Sequence, residues 1–264
     1  MPADLAFSLA LIVKMAITAG FVLAATITAE RAGPLIGGLV ATLPIGAGPV
    51  YVFLALDHDA HFIALSAVAS LAINAANVVF ALVYAVFAQQ RPLLVSLPGA
   101  FIAWLAFALI VHMTPWSFVT AALMNVVVLI VCLRLTRPLR EVRMPVYRAR
   151  WYELAMRAAM VALLVGVTVS LSFTIGPGGS GILAVFPIVL ISIILILHRR
   201  VGGRPTAAVL ANAIVGLVGF AFATAALHFT AETFGSAIGL TLALATAVGW
   251  SFLVYTVRLR GFSV

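Results

Sequence analysis

The chain reads as an all-α integral membrane protein of about nine transmembrane helices, and three observations lead there. Hydrophobic residues fill 65% of its 264 positions and charged residues only 8%, whereas a soluble domain carries roughly 25% charge on its surface and in its loops. Apolar stretches long enough to cross a hydrocarbon core recur along the whole length. The arginines cluster in alternate connections between those stretches, which is how membrane topology is written. Little sequence remains outside the apolar stretches, so one transmembrane domain over 1–264 is expected.

Taken in order, the expected spans are Leu5–Ala29, Gly33–Leu56, Phe62–Ala88, Leu93–Met113 and Ser117–Leu135. A basic loop, Thr136–Arg150, follows. The remaining spans are Trp151–Ile175, Gly178–Leu197, Pro205–Phe229 and Phe234–Val257. With this count Arg31, Arg91, the arginines from Arg134 to Arg150, Arg199, Arg200, Arg204, Arg258 and Arg260 share one side. Asp4, Asp57, Asp59 and Glu232 occupy the other. The positive-inside rule then puts the basic side in the cytoplasm. It predicts a multi-pass protein of the cell inner membrane with its N-terminus outside and its C-terminus cytoplasmic. The net charge of +8 and pI near 10.8 are accounted for by arginines at lipid headgroups; nucleic acid is not an expected partner. The single cysteine, Cys132, excludes an intramolecular disulfide. The N-terminus carries Asp4 and no basic region before its apolar run, so it does not read as a cleavable signal.

A repeat runs through the chain. The thirteen residues from Gly33 to Ile45 align with those from Gly176 to Ile188, and six of them are identical, including the pairs Gly33/Gly176, Pro34/Pro177, Gly38/Gly181 and Pro44/Pro187. The same ungapped offset of 143 puts Lys14 against Arg157 and Val22 against Val165. Five spans separate the copies, so they point opposite ways through the membrane, as in many secondary transporters. Repeat A covers about 5–113, repeat B about 151–258, and the helix at 117–135 connects them.

Four constellations could carry chemistry. The first is a pair of interrupted helices. Pro44 and Pro187 fall near the midplane of their spans, and each removes a backbone donor. Around Pro44 the run to Pro49 includes Gly46 and Gly48, which reads as opened backbone able to meet a ligand. An ordinary proline kink is the alternative. The second is Lys14 and Arg157, cations inside apolar spans, each costing at least about 2.5–3.5 kcal/mol to insert. Snorkelling to headgroups is the alternative. No carboxylate is expected at the depth of Lys14, which makes an anionic substrate its expected counter-charge.

The third is the stripe Ser66, Ser70, Asn74 and Asn77 on one face of its span, joined by Asn125 and Asn212 from other spans. These groups either bond helices together or orient a ligand. Asn74, Asn77 and Asn212 are the expected ligand contacts, because their spans follow the interrupted helices. The fourth is the polar turn Asp57, His58, Asp59 and His61, with His112 and His228 on the same side. Its spacing matches no specific metal site, and no metal is expected. Glu30 is the expected carboxylate if transport is coupled to protons.

Phosphate-loop, zinc-peptidase and nucleophile-elbow motifs do not occur in the sequence, so no enzyme activity and no cofactor are expected. The leading expectation is a secondary carrier of a small organic or inorganic anion, with export favoured because an inside-negative potential drives anions outward. The runner-up is the flipping or transport of an anionic lipid or polyprenyl phosphate. Membrane lipids are expected partners, and a homodimer is a class-level expectation.

Overall fold

The computed structural model describes residues 3–31, 45–140, 142 and 150–260. Among them every regular element is helical, and seven helical stretches are long and apolar enough to cross a membrane. The protein is therefore an all-α, multi-pass membrane protein. The helices are α1 (Ala3–Arg31), α2 (Ala47–Asp57), α3 (Ala60–Phe87), α4 (Leu93–Met113), α5 (Phe118–Thr136), α6 (Trp151–Ala184), α7 (Ile188–Val201), α8 (Gly203–Phe234) and α9 (Ser236–Leu259). A short 3₁₀ turn, Arg137–Leu139, closes α5.

The helix starts follow capping rules. Asp59 accepts from the Phe62 amide at the head of α3, Ser117 and Thr120 form a capping box on α5, and Glu153 caps the Arg150 amide on α6.

The longest apolar stretch, Trp151–Val201, is not one rod. Glu153 and Arg200 form an ion pair at 3.0 Å, although a straight helix would hold residues 47 positions apart at about 70 Å. The chain doubles back at Gly176, whose φ of 66° and ψ of −173° lie outside helical space and suit glycine alone. A second break separates α6 from α7 at Val185–Pro187. The returning strand of helix runs alongside α3: Gly181, Val185 and His198 meet Ser70, Asn77 and Tyr84 in turn.

Helix α3 is the centre of the bundle. It is buried over most of its length and packs against α4, α5, α6 and α8. The α3–α8 pair is antiparallel: Ala64 meets His228, Asn74 meets Leu217, and Gln89 meets Arg204. The α1–α6 pair is antiparallel too, with Met15 against Gly166 and Val22 against Ala158 and Val161. In contrast α1, α4, α5 and α9 expose large apolar side chains such as Ile12, Phe21, Leu94, Val127 and Phe252, as lipid-facing helices do. The ends of the bundle differ in charge. Arg140, Arg150, Arg200 and Arg204 come together at one end, and Asp57, His58, His61 and Glu232 at the other.

Candidate functional site

Lys14 has a partner. Its Nζ donates to both carboxylate oxygens of Asp57, at 2.6 and 2.5 Å, and lies 5.9 Å from the centre of the Phe53 ring. The expectation that no carboxylate reaches the depth of Lys14 is overturned, and with it the premise of a missing counter-charge. The reason is helix length. Helix α1 begins at Ala3 and continues through eleven residues before Lys14, which brings the ammonium level with the last residue of the much shorter α2. The pair is largely shielded, with side-chain exposures of 16% and 20%. It borders a small cavity of about 140 Å³ whose other walls include Phe7, Leu11, Val169 and Phe173.

The neighbouring polar turn is used residue by residue. Asp59 caps α3. His61 bonds Glu232 at 2.5 Å. His58 Nε2 lies 2.8 Å from Ser172 Oγ, and that hydroxyl already donates its only hydrogen to the Val169 carbonyl. His58 is therefore the donor, and its neutral ring carries the proton on Nε2. Burial pushes the His58 pKa down; the carboxylates of Asp57 and Asp59 oppose that shift and Lys14 adds to it. His228 sits on the Phe118 ring. Among the described residues no three His, Cys, Asp or Glu side chains converge on a metal position.

The α3 stripe binds helices to one another. Asn74 donates to Asn125 and to the Leu217 carbonyl at 3.2 and 3.1 Å, and Asn125 donates to the Leu71 carbonyl. Asn77 donates to the Val185 carbonyl at 2.7 Å and accepts from Trp104 Nε1 at 2.7 Å. Tyr51 Oη donates to Ser70 Oγ, which donates to the Gly181 carbonyl. Ser70 and Asn77 thus satisfy carbonyls around the break between α6 and α7, where the helical ladder lapses. Asn212 stands apart: it bonds the Arg140 and Ala208 carbonyls at the arginine-rich end. Arg157, half-buried on the opposite half of the α1–α6 pair from Lys14, is not brought together with it. Pro44 and the side chain of Glu30 lie outside the described residues.

The starts of α2 and α7 do meet. Pro187 caps α7 and Gly46 caps α2. A Cβ built on Gly46 would lie 3.1 Å from Val189 Cγ2, and Ile45, Ile188 and Val189 pack together against Val22, Ala158 and Val161. Gly48, two residues on, faces open space. It lines a half-open groove of about 620 Å³ between α1, α2, α8 and α9, with Ile17, Phe21, Val52, Thr224 and Leu240 on its walls. Among the described residues these walls are overwhelmingly apolar and carry no charged side chain. Lys14 is not on them, so Lys14 and Gly48 open onto separate cavities; Phe53 lines the groove and its ring lies 5.9 Å from Lys14 Nζ.

Sequence reasoning missed Asp57 as the partner of Lys14, and it missed the contribution of α8 and α9 to the groove. One signal for the first was available: positions 57 and 200 stand 143 apart and both carry charge. No family model, curated protein or solved structure matches this chain.

Proposed function

We propose that the protein is a secondary carrier built from an inverted repeat, and that its substrate is an amphipathic, lipid-like molecule that enters the groove beside Gly48 from the bilayer. Several geometric facts support the repeat. Helices α3 and α8 begin at Ala60 and Gly203, and α4 and α9 at Leu93 and Ser236, each pair 143 residues apart. Residues at that same offset lie together where a pseudo-two-fold axis would pass: Gly46 meets Val189, Asn74 bonds Leu217, and Ile45 and Ile188 pack on the same apolar cluster. Counting Trp151–Val201 as two passes and the span ending in α2 as one gives nine passes. Two interrupted helices that touch at their restarts are where such carriers hold substrate.

The apolar groove carries the choice of substrate. A small hydrophilic anion finds no counter-charge there, since Lys14 is neutralised by Asp57 in a different cavity. An acyl or prenyl chain gains about 25 cal/mol for each Å² it removes from water, and a groove open at the side admits it directly from lipid. The two breaks are also unequal. Asn77 ties down the break near Pro187, whereas the position 143 residues beyond Asn77 is Phe220, a groove wall. That leaves the start of α2 near Gly46 as the one beside the substrate.

The test is transbilayer movement of tail-labelled lipids in proteoliposomes. Wild-type protein is expected to accelerate it, and Gly48→Trp, whose Cβ meets nothing within 4 Å and whose ring would enter the groove, is expected to slow it at least about tenfold, or 1.4 kcal/mol. Gly20→Leu on exposed α1 also meets no neighbour and serves as the control. Equal rates for Gly48→Trp and wild type would remove the groove from the pathway.

A further inference from the structure

Resting on the carrier reading above and its repeat, we propose a second lipid-binding groove, between α3, α4, α6 and α7, that serves the opposite leaflet and is held shut in this conformation by a latch of Trp104, Asn77 and Phe186. The starting observation is depth. The open groove runs along α9 from Ser236 to Leu244 and along the second span from Ile45 to Leu56, which is about 12–17 Å at 1.5 Å per residue. That is about half of a hydrocarbon core roughly 30 Å thick. These stretches lie toward the end of the bundle that carries Asp57 and Glu232, so the groove serves the leaflet at that end. A carrier that moves lipid across the bilayer must offer the other leaflet an equivalent surface.

The offset of 143 locates that surface. It carries the groove walls Phe21, Leu227 and Leu244 onto Leu164, Tyr84 and Phe101, toward the end where Arg200 and Arg204 lie. Here the counterpart is packed: Leu164 is 7% exposed, whereas Phe21 is 52% exposed. One group in it is uncomfortable. Thr168, the counterpart of Ala25 on the groove wall, is fully buried, and its hydroxyl has no hydrogen-bond partner. A buried hydroxyl left unpaired is destabilising. An opened groove would relieve it with water or the polar part of a lipid.

The latch is specific to the closed side. Trp104 Nε1 on α4 donates to Asn77 Oδ1 on α3 at 2.7 Å. The Phe186 ring, at the break between α6 and α7, meets Trp104 and Phe101 edge to face, with centroids 5.1 and 6.2 Å apart. Helix α4 is thereby fastened over the break. On the open side the corresponding positions are Ala247, Phe220 and Leu244, and no side chain among these three can make the indole–amide bond. The counterpart of Phe186, Leu43, lies outside the described residues. Two packings related by the repeat differ in which groove is closed, so weakening the contacts that close one shifts the population toward the other.

Spin-label distances in lipid nanodiscs test this, in a Cys132→Ala background because Cys132 is the sole cysteine. The pair Gly20→Cys/Ala245→Cys flanks the open groove on α1 and α9. The pair Leu163→Cys/Ile102→Cys stands at the counterpart positions on α6 and α4. All four sites are exposed, so the labels disturb no packing. Trp104→Ala and Phe186→Ala are each expected to shorten the α1–α9 distance and lengthen the α6–α4 distance in the same sample. Trp104→Phe, which keeps a ring and loses the indole bond, is expected to shift both in the same directions by less, and it stands in if the alanine variants are not monodisperse. Lengthening of α6–α4 with α1–α9 unchanged means local loosening and overturns the proposal, as does no change in either distance. Absence of lipid movement by the wild-type protein defeats the carrier reading alone, since the paired distances still report whether the two closures alternate.

Discussion

Asn74 on α3 donates to the carbonyl of Leu217 on α8 at 3.1 Å, and the two residues stand 143 positions apart. In a repeat of that period each is the image of the other, so the bond joins a position to its own counterpart. Only residues on a two-fold axis can do this. The same holds for Gly46 and Val189 at the crossing of the interrupted helices. On the inverted-repeat reading, the axis would pass through the buried heart of the α3–α8 pair and between the starts of α2 and α7. On the carrier reading, rocking of one half against the other would pivot about these contacts.

Asn77 is expected to be the most costly amide to remove. Asn77→Leu strands both the Val185 carbonyl and the Trp104 indole N–H. Hydrogen bonds inside membranes are worth about 0.6 kcal/mol on average and up to about 1.7, so a loss of about 1–3 kcal/mol is expected. Denaturant titration reads the stability, and Trp104 emission reads the lost bond. Asn212→Leu, at the arginine-rich end, is expected to cost less.

Two glycines are expected to respond oppositely. A Cβ on Gly181 would lie 2.2 Å from the Ser66 carbonyl oxygen and 2.8 Å from Ala69 Cβ, so Gly181→Ala must push the returning helix off α3. Overpacking of this kind costs about 1–3 kcal/mol. Gly48→Ala meets nothing within 4 Å and gains up to about 1 kcal/mol of helix propensity. Thermal unfolding in detergent distinguishes them; equal melting temperatures would contradict the packing of Gly181 on α3.

The long spans among the described residues were legible because length and apolarity alone decide them: Leu93–Met113 has the same bounds in sequence and structure, and the turn at Gly176 falls between the sixth and seventh expected spans; the span expected at Gly33–Leu56 lies half outside the described residues. The polar stripe was legible as a face, and its inter-helix alternative is what the bonds of Ser70, Asn74 and Asn77 display. Depth was not legible. Counting residues treats every helix as equally long and upright, so Asp57 looked like a surface loop residue while α1 in fact carries Lys14 to it. The groove was hidden for another reason: its walls come from four helices that no local pattern links.

His58 is expected to make the fold acid-sensitive. Burial lowers its pKa from 6.5, so the folded state prefers the neutral ring. Above about pH 6.5 neither state takes the proton and this group adds no slope. As pH falls below that value the unfolded chain binds the proton first, and the stability contributed by His58 is lost as pH drops through the lower folded value. His58→Gln keeps a donor for Ser172 without a titrating ring. The difference in melting temperature between wild type and His58→Gln is expected to widen below about pH 6.5 and to be flat above it; a constant difference would count against the neutral assignment.

Glu153 and Arg200 are expected to behave as a closed pair at the base of the α6–α7 hairpin. Glu153 is 4% exposed and uses one oxygen on Arg200 and the other on the Arg150 amide. Arg200→Gln removes one cationic partner from a buried carboxylate, and breaking such a shielded pair costs up to about 3–5 kcal/mol. The double variant Glu153→Gln/Arg200→Gln removes the charge and retains an oxygen for the cap, so it is expected to recover most of that loss. A non-additive cycle of this kind identifies the two residues as directly coupled. If single and double variants unfold at the same denaturant concentration, the hairpin is held by packing alone.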